Sequence, residues 1–337
     1  MNTYDEAVQT LRAPLPTEPS LRDFVRFATL APNSHNTQPW TFGLGNNHVE
    51  IRPDLSRRTP AADPDDHHVV VTLGCAAESL LLAARSAGRS GEVAIEGQSP
   101  DETVVRVFLG DGAVSEVELA NAILTRQSTR SEYDGQALSS DELRLLETAA
   151  TQPGVEVLFI TERPRMEDAI EFVIAGNSAQ MDDPAWVQEL KDWLRFNARA
   201  ALQTRDGLFS KCSGNPTMPD WISGFMFDRV FKKNTENDKY ARQIRSSSGI
   251  AVFIAEEESP RGWVDVGRCF NRFALQATTM GIRHGHVNMP IEVVDLRPEF
   301  ASWLGIPGRR PDLVIRFGKA PLLPMSIRRP IDDVIIA

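Results

Sequence analysis

Cysteine is scarce in this chain of 337 residues: Cys75, Cys212 and Cys269 are the full set. An odd, widely scattered trio excludes a disulfide framework and any C-x-x-C metal site, and suits packed thiols in a reducing compartment. Basic charge is also short. Lys and Arg total 36 against 46 for Asp and Glu, a net charge of −10. No basic stripe is visible, so a nucleic-acid partner is not expected. No apolar run approaches the ~20 residues of a membrane span. The start "MNTYDEAVQTLRAPLPTEPS" lacks the basic and apolar regions of a signal peptide. A cytoplasmic protein with no membrane partner is the expectation. G-x-S-x-G, Walker and G-x-G-x-x-G motifs are missing too, which leaves hydrolase, kinase and Rossmann readings without support.

What remains is globular in composition, with 42% hydrophobic and 24% charged residues, enough for one large domain or two medium ones. "TEPSLRDFVRFATLA" has apolar residues at helical spacing behind Ser20 as N-cap. "TFGLG" and "HVEIRPD" alternate like a hairpin. "LGCAAESLLLAARSAG" reads as a buried helix, followed by strands "EVAIEG" and "TVVRVFLG". Ser115/Glu118 and Ser139/Glu142 have capping-box spacing ahead of two further helices. Strands "VEVLFIT", "GIAVFIAE" and "DLVIRFG" and a helix from Trp263 to Met280 complete an α+β alternation. Gly74–Gly88 and Gly267–Gly281 superimpose at a constant offset of 193, matching Leu82 with Leu275 and Ala84 with Ala277. Amphipathic helices share periodicity for trivial reasons. Two related halves facing each other across a pseudo-two-fold axis are the favoured account, and would enclose a cleft. The division expected is 1–118 and 119–337.

Chemistry-bearing side chains gather in four places. "LAPNSHNTQPWTF" (Leu30–Phe42) crowds donors and acceptors into one loop, either a polar surface turn or a grip for a flat polar molecule. In "TRQSTRSEYDG", Arg126, Ser128 and Arg130 alternate, so an extended backbone points them to one side, as a phosphate site or as a solvated charge run. "HVNMPIEVVDLRPE" places Met289, Pro290, Ile291 and Glu292 in a turn. The tail "SIRRPIDDVI" sets Arg328 and Arg329 before Pro330. His284 and His286, and likewise His67 and His68, lack a third ligand at a sensible spacing, so no metal is expected. Residues 204–240 mix Gly, Pro and Asn with Trp221, Phe225, Phe227 and Phe231, and read as a lid or as an excursion covering a sheet edge.

These motifs, in this order, resemble the nitroreductase family of FMN-binding oxidoreductases, and more narrowly its single-chain Acg-type branch. "APNSHNTQPWTF" resembles the family's A-x-S-x-N-x-Q-P-W-x-F loop, and "TRQSTRSEYDG" its R-x-S-x-R-x-F segment with Tyr133 in the aromatic position. "MPIE" and "IRRPIDDVI" resemble the flavin-ring turn and the C-terminal phosphate arginine. The resemblance implies a nitroreductase-like fold of two pseudo-symmetric halves, a pseudo-dimer within one chain. It implies FMN, its phosphate held by Arg126, Ser128 and Arg328 with Arg130 nearby. Pro32, Asn33, Ser34, Asn36 and Gln38 would hold the ring and ribityl chain, with Met289, Pro290, Ile291 and Glu292 beside the ring near N5. The family's Asn and Lys contacts along the pyrimidine edge have no counterpart here, and Asn177 and Gln180 are the substitutes the sequence offers. Only the first half has the N-x-Q-P-W loop and only the second has the arginines, which leaves one complete site. The implied partners are NAD(P)H and a small organic acceptor. The alternative is an FMN-sequestering protein closed by its lid, with Trp221 and Phe225 stacked on the ring, whereas in an active reductase the same two residues would bind substrate.

Overall fold

The computed structural model describes residues 3–219, 221, 227, 229 and 231–336. At its centre two long helices, His67–Ser86 and Pro260–Thr279, make the most extensive contact between any two elements. Glycines set their approach. A Cβ on Gly74 would lie 2.1 Å from the Val264 carbonyl oxygen, and one on Gly267 would lie 2.0 Å from that of Val71. The two contacts are the same contact seen twice, because Val71 maps to Val264 and Gly74 to Gly267 at the offset of 193. Further along, Glu78 binds Arg272 at 3.0 Å while Ser79 binds Asn271 at 2.9 Å, again a reciprocal pair. Reciprocity of this kind is what a two-fold axis imposes.

The sheets repeat the relation. The strands are β1 (Trp40–Leu44), β2 (His48–Pro53), β3 (Arg89–Glu96), β4 (Val104–Asp111), β5 (Val155–Ile160), the short β6 (Leu194–Arg195) and β7 (Leu208–Phe209), β8 (Gly249–Ala255), β9 (Ile282–His286), β10 (Leu313–Lys319) and β11 (Ile335–Ile336). One sheet runs β1-β2-β4-β3 and the other β5-β8-β10-β9, every one of these neighbours antiparallel. Each sheet sends its second strand into a central helix and receives its third strand from it. The fold is therefore α+β with two pseudo-symmetric halves. They are not equally buried. Along β4, Val105, Val107 and Leu109 are buried while Phe108 is exposed, the alternation of a half-covered sheet. All seven residues of β8 are buried, because helices cover both faces of the second sheet.

Three details depart from the expectations. The helix expected from Ser115 starts at Val117, with Glu116 at φ +59; the expected junction at 118–119 falls within this helix, Val117–Ile123. The Ser139 cap holds as expected, its hydroxyl accepting from Glu142 N at 3.2 Å. The segment expected to end at 240 becomes the helix Lys233–Arg245 from residue 233 onward. Finally, the C-terminal tail crosses back to the first unit, where β11 extends its sheet in parallel beside β1. That crossing carries Arg328 to the loop at 30–38. Among the described residues one helix, His67–Ser86, is long and apolar enough to cross a membrane, and it is packed in the core.

Candidate cofactor and active site

A cavity of about 330 Å³ opens between the units, large enough for a small-molecule ligand. One wall is a single face of the first central helix, His68, Val71, Thr72 and Cys75, at the i, i+3, i+4, i+7 spacing that shares a helix face. The other central helix adds Phe270, and β9 adds His286. The rim comes from Pro32, Asn33, Ser34 and His35, and the far side from Asn288, Met289, Glu292, Gln180 and Tyr240.

The density of polar residues in the 30–38 loop has a structural cause. His35, Asn36 and Gln38 all sit in the left-handed region, at φ 46, 56 and 56, a conformation that costs non-glycine residues free energy. Side-chain bonds hold it there. Asn33 Oδ1 accepts from Gln38 N at 2.9 Å. Asn36 donates to the carbonyls of Gly207 and Ile327, at 3.1 and 3.2 Å. Gln38 donates to Arg205 O at 3.0 Å and accepts from Arg329 N at 2.8 Å. Asn36 and Gln38 are thus buried clamps that tie the loop to the 205–207 segment and the C-terminal tail, not groups facing the cavity. Pro32, Asn33 and Ser34 do line it, together with His35.

The arginines divide similarly. Arg126 and Arg328 are both buried and both donate to Leu30 O, at 2.8 and 3.5 Å. Arg328 also binds Thr29 O at 2.7 Å and Ser326 Oγ at 2.7 Å, so it caps the carbonyl end of the helix Leu21–Ala28. The motifs gave no sign of the third member, Arg12, which donates to Leu124 O at 2.9 Å. Burial pulls the Arg12 guanidinium down to about 10. Burial, then repulsion from Arg12, pulls Arg126 down to about 9. Arg130 reaches into the cavity itself. None of the four has a carboxylate within ion-pair distance among the described residues, and Arg126 Nη1 is buried without any hydrogen-bond partner. Ser128 is half-buried, bridges to His284 through the backbone and does not line the cavity.

At the ring-turn motif, Met289 and Glu292 face the cavity while Pro290 and Ile291 are buried beneath it. Gly176 fixes the turn, since a Cβ there would stand 2.6 Å from the Met289 backbone. The N–H groups of Ile291 and Glu292 both go to Asn288 O, at 2.8 and 2.9 Å, and are not free for a ligand. Glu292 accepts from Gln180 at 2.6 Å, and burial raises its carboxyl. Asn177 binds Asn237 instead of the cavity. His35 and His286 are pushed down to about 4 and about 3 by burial and by Arg130, so both rings are neutral at pH 7. Burial raises the Cys75 thiol, whose Sγ donates to Gly267 O at 3.1 Å; it is not a nucleophile.

From the 204–240 segment, Phe227 and Phe231 line the cavity, stacked with ring centroids 4.5 Å apart, beside Phe196 from outside it. Trp221, expected there, is 86% exposed and points away. Phe225 lies outside the described residues. A segment rich in aromatics gives no register to choose among them, and that is where sequence reading failed.

A two-unit α+β chain with a cleft between its units into which Arg130 reaches is the class that fold and site define. No protein-family model matches the chain. It is 24% identical to "Putative NAD(P)H nitroreductase Rv3131" of Mycobacterium tuberculosis, over 95% of this chain and 92% of the relative. It is 23% identical to "Putative NAD(P)H nitroreductase acg" of the same species, over 93% and 94%. The solved FMN-dependent nitroreductase NfnB from Mycobacterium smegmatis, in complex with NADPH, matches 60% of this chain and 87% of its own, at 15% identity and a TM-score of 0.40. A nitroreductase with bound FMN from Desulfitobacterium hafniense matches 65% and 97%, at 16% identity and a TM-score of 0.39. The Mycobacterium tuberculosis relatives match this chain nearly end to end, both units in one polypeptide. The chain is thus similar to these single-chain relatives over nearly its whole length, at 23–24% identity.

Proposed function

We propose that the protein is an FMN-dependent oxidoreductase that passes reducing equivalents from NAD(P)H to a small organic acceptor, with one cofactor per chain. The observation that carries this reading is a set of arginines, Arg126 and Arg328 buried at the Leu30 carbonyl with Arg12 near them and Arg130 in the cavity, none with a carboxylate within ion-pair distance among the described residues. Burying a guanidinium without an anion is costly, and the dianionic phosphate of FMN is an anion of the right kind, able to take the orphaned Arg126 Nη1. Arg126 and Arg130 would hold that phosphate, with Arg328 and Arg12 supplying field from behind. Pro32, Asn33, Ser34 and His35 would grip the polar edge of the ring system. Phe270 and the Val71–Cys75 face would pack its apolar surface. Bound FMN would supply two-electron transfer between nicotinamide and acceptor. The protein's part is positioning and exclusion of water. His35 and His286 are neutral, so neither supplies a proton readily near pH 7.

A single site follows from what stands on the opposite flank of the central pair. At the offset of 193, Thr72 and Cys75 correspond to Asp265 and Arg268. There Arg268 binds Glu78 at 3.0 Å and Asp265 at 3.5 Å, so ion pairs fill the place that the cavity occupies on the first side. Purification tests the proposal: the protein should be yellow, release one FMN per chain on denaturation, and lose its flavin absorbance when NADH or NADPH is added without oxygen. A colourless protein that takes up no added FMN would refute it. Flavin that resists reduction while one FMN is bound would favour the sequestering alternative, for which Phe227 and Phe231 are the covering groups.

A further inference from the structure

At the start of the first central helix, where it meets the second unit, His67 and His68 stand over Asp63 and Asp312. All four are buried, at 0%, 9%, 3% and 1% exposure. The hydrogen bonds fix which ring nitrogens carry protons. His68 Nε2 lies 3.3 Å from the backbone carbonyl of Asp312, an acceptor only, so Nε2 carries the hydrogen and Nδ1 offers a lone pair. His67 Nε2 lies 2.8 Å from Asp312 Oδ1, so in the neutral ring Nδ1 is again the bare nitrogen. It is buried with no partner. His68 Nδ1 faces Asp63 Oδ1 at 3.9 Å with no hydrogen between them. One ligand atom each from Asp63, His67 and His68 lies within 4.8 Å of the others. The surrounding arginines act on this group at a distance and none forms an ion pair with Asp63 or Asp312 among the described residues. Arg58 is engaged by Asp66, and Arg297 and Arg310 by Asp65.

Asp63 has its two backbone N–H donors, but the bare Nδ1 of His67 has none, and a buried lone pair in a cluster with a carboxylate and a second imidazole is relieved by a proton or a cation. The geometry points to a divalent transition-metal site formed by Asp63, His67 and His68, with Asp312 holding both rings from behind. A tetrahedral ion with bonds of about 2.1 Å holds its ligand atoms about 3.4 Å apart, so His68 Nδ1 and Asp63 Oδ1, at 3.9 Å, need close only by about half an ångström. The carboxylate and the carbonyl of Asp312 set both tautomers in the way that outer partners do for metal-ligating histidines. Asp63 keeps its second duty, accepting from the His68 and Val69 N–H groups at 3.1 Å each. Two nitrogens and one carboxylate suit Zn²⁺, Fe²⁺ or Mn²⁺ better than Mg²⁺ or Ca²⁺. Since His68 also lines the cavity, the ion would sit in the cavity wall and lock the first unit's helix to β10's lead-in residue Asp312. The sequence hides this site because Asp312 is far away in the chain and the two adjacent histidines look redundant.

The test is metal content and Co²⁺ spectroscopy on the full chain, stripped with chelator and re-dialysed against Zn²⁺ or Co²⁺. The expected result is one ion per chain, Co²⁺ bands of nitrogen and oxygen ligation without thiolate charge transfer, and a higher melting temperature with Zn²⁺. His67→Gln keeps a donor for Asp312 but lacks Nδ1, and should weaken Zn²⁺ binding at least 10-fold. Cys212→Ser should leave it unchanged. Wild-type protein that retains no Zn²⁺ above the chelated control, or that binds Co²⁺ through thiolate, overturns the site even if His67→Gln does not fold. Equal Zn²⁺ binding by folded His67→Gln does so as well.

Discussion

Arg126 is the residue whose environment argues most directly for an anionic ligand, because one of its nitrogens is buried without any acceptor. Replacing it by Ala should weaken FMN binding by about 2–3 kcal/mol, some 30- to 150-fold, as should Arg130→Ala. Arg309→Ala is the control, since that guanidinium is engaged by Glu156 on the other side of the second unit. Fluorescence titration of apoprotein with FMN gives the three constants, and equal values would place the phosphate elsewhere. Arg328 is a poorer probe, because it caps a helix and its loss would act on the fold. The cavity histidines supply a pH signature. His35 and His286 take up protons below about 6.5 in the unfolded chain, but in the folded protein only near about 4 and about 3. The unfolded state therefore binds more protons between pH 6.5 and 4. Stability should fall as pH is lowered through that window, by at most about 1.4 kcal/mol per pH unit for each ring, and should be indifferent to them above it. Urea midpoints at pH 7, 5.5 and 4.5 measure this, and His286→Gln should flatten the descent.

Among the elements, the central helix pair depends on two glycines for its closeness. Gly267→Ala puts a methyl group 2.0 Å from the Val71 carbonyl oxygen, and Gly74→Ala does the same at Val264 with 2.1 Å. Backbone cannot yield as a side chain tip does, so each should cost on the order of 3 kcal/mol or prevent folding. Gly281→Ala has nothing within 4 Å but a φ of +72, and should cost only the roughly 1–2 kcal/mol of left-handed strain. Urea denaturation of the three variants checks the order. The covering segment is the other element with a testable role. Phe227→Ala together with Phe231→Ala unroofs the cavity. If these rings cover the flavin, NAD(P)H reduction should speed up; if they hold substrate, kcat/KM should fall or acceptor preference change. Stopped-flow rates and acceptor range both matching wild type would show that neither ring covers the site.

For the molecule as a whole, the sequence by itself determined a good deal. Local signals sufficed wherever a residue's role is settled by its neighbours in the chain: the Ser139–Glu142 cap, the strands of both sheets, the two central helices and their common offset. The motifs were enough to place Pro32, Asn33, Ser34, Arg130, Met289 and Glu292 on one cavity. Folding decided the rest, because those roles depend on partners hundreds of residues away. Asn36 and Gln38 became clamps only when the 205–207 segment and the C-terminal tail arrived beside them. Arg12 joined the arginine cluster through a helix that carries no motif. Phe227, not Trp221, met the cavity because orientation within an irregular segment is set by packing, not by composition. Ion pairs closed the second flank because Arg268 and Glu78 come from different units, and a charge 190 residues away leaves no trace in the local pattern that sequence reading uses.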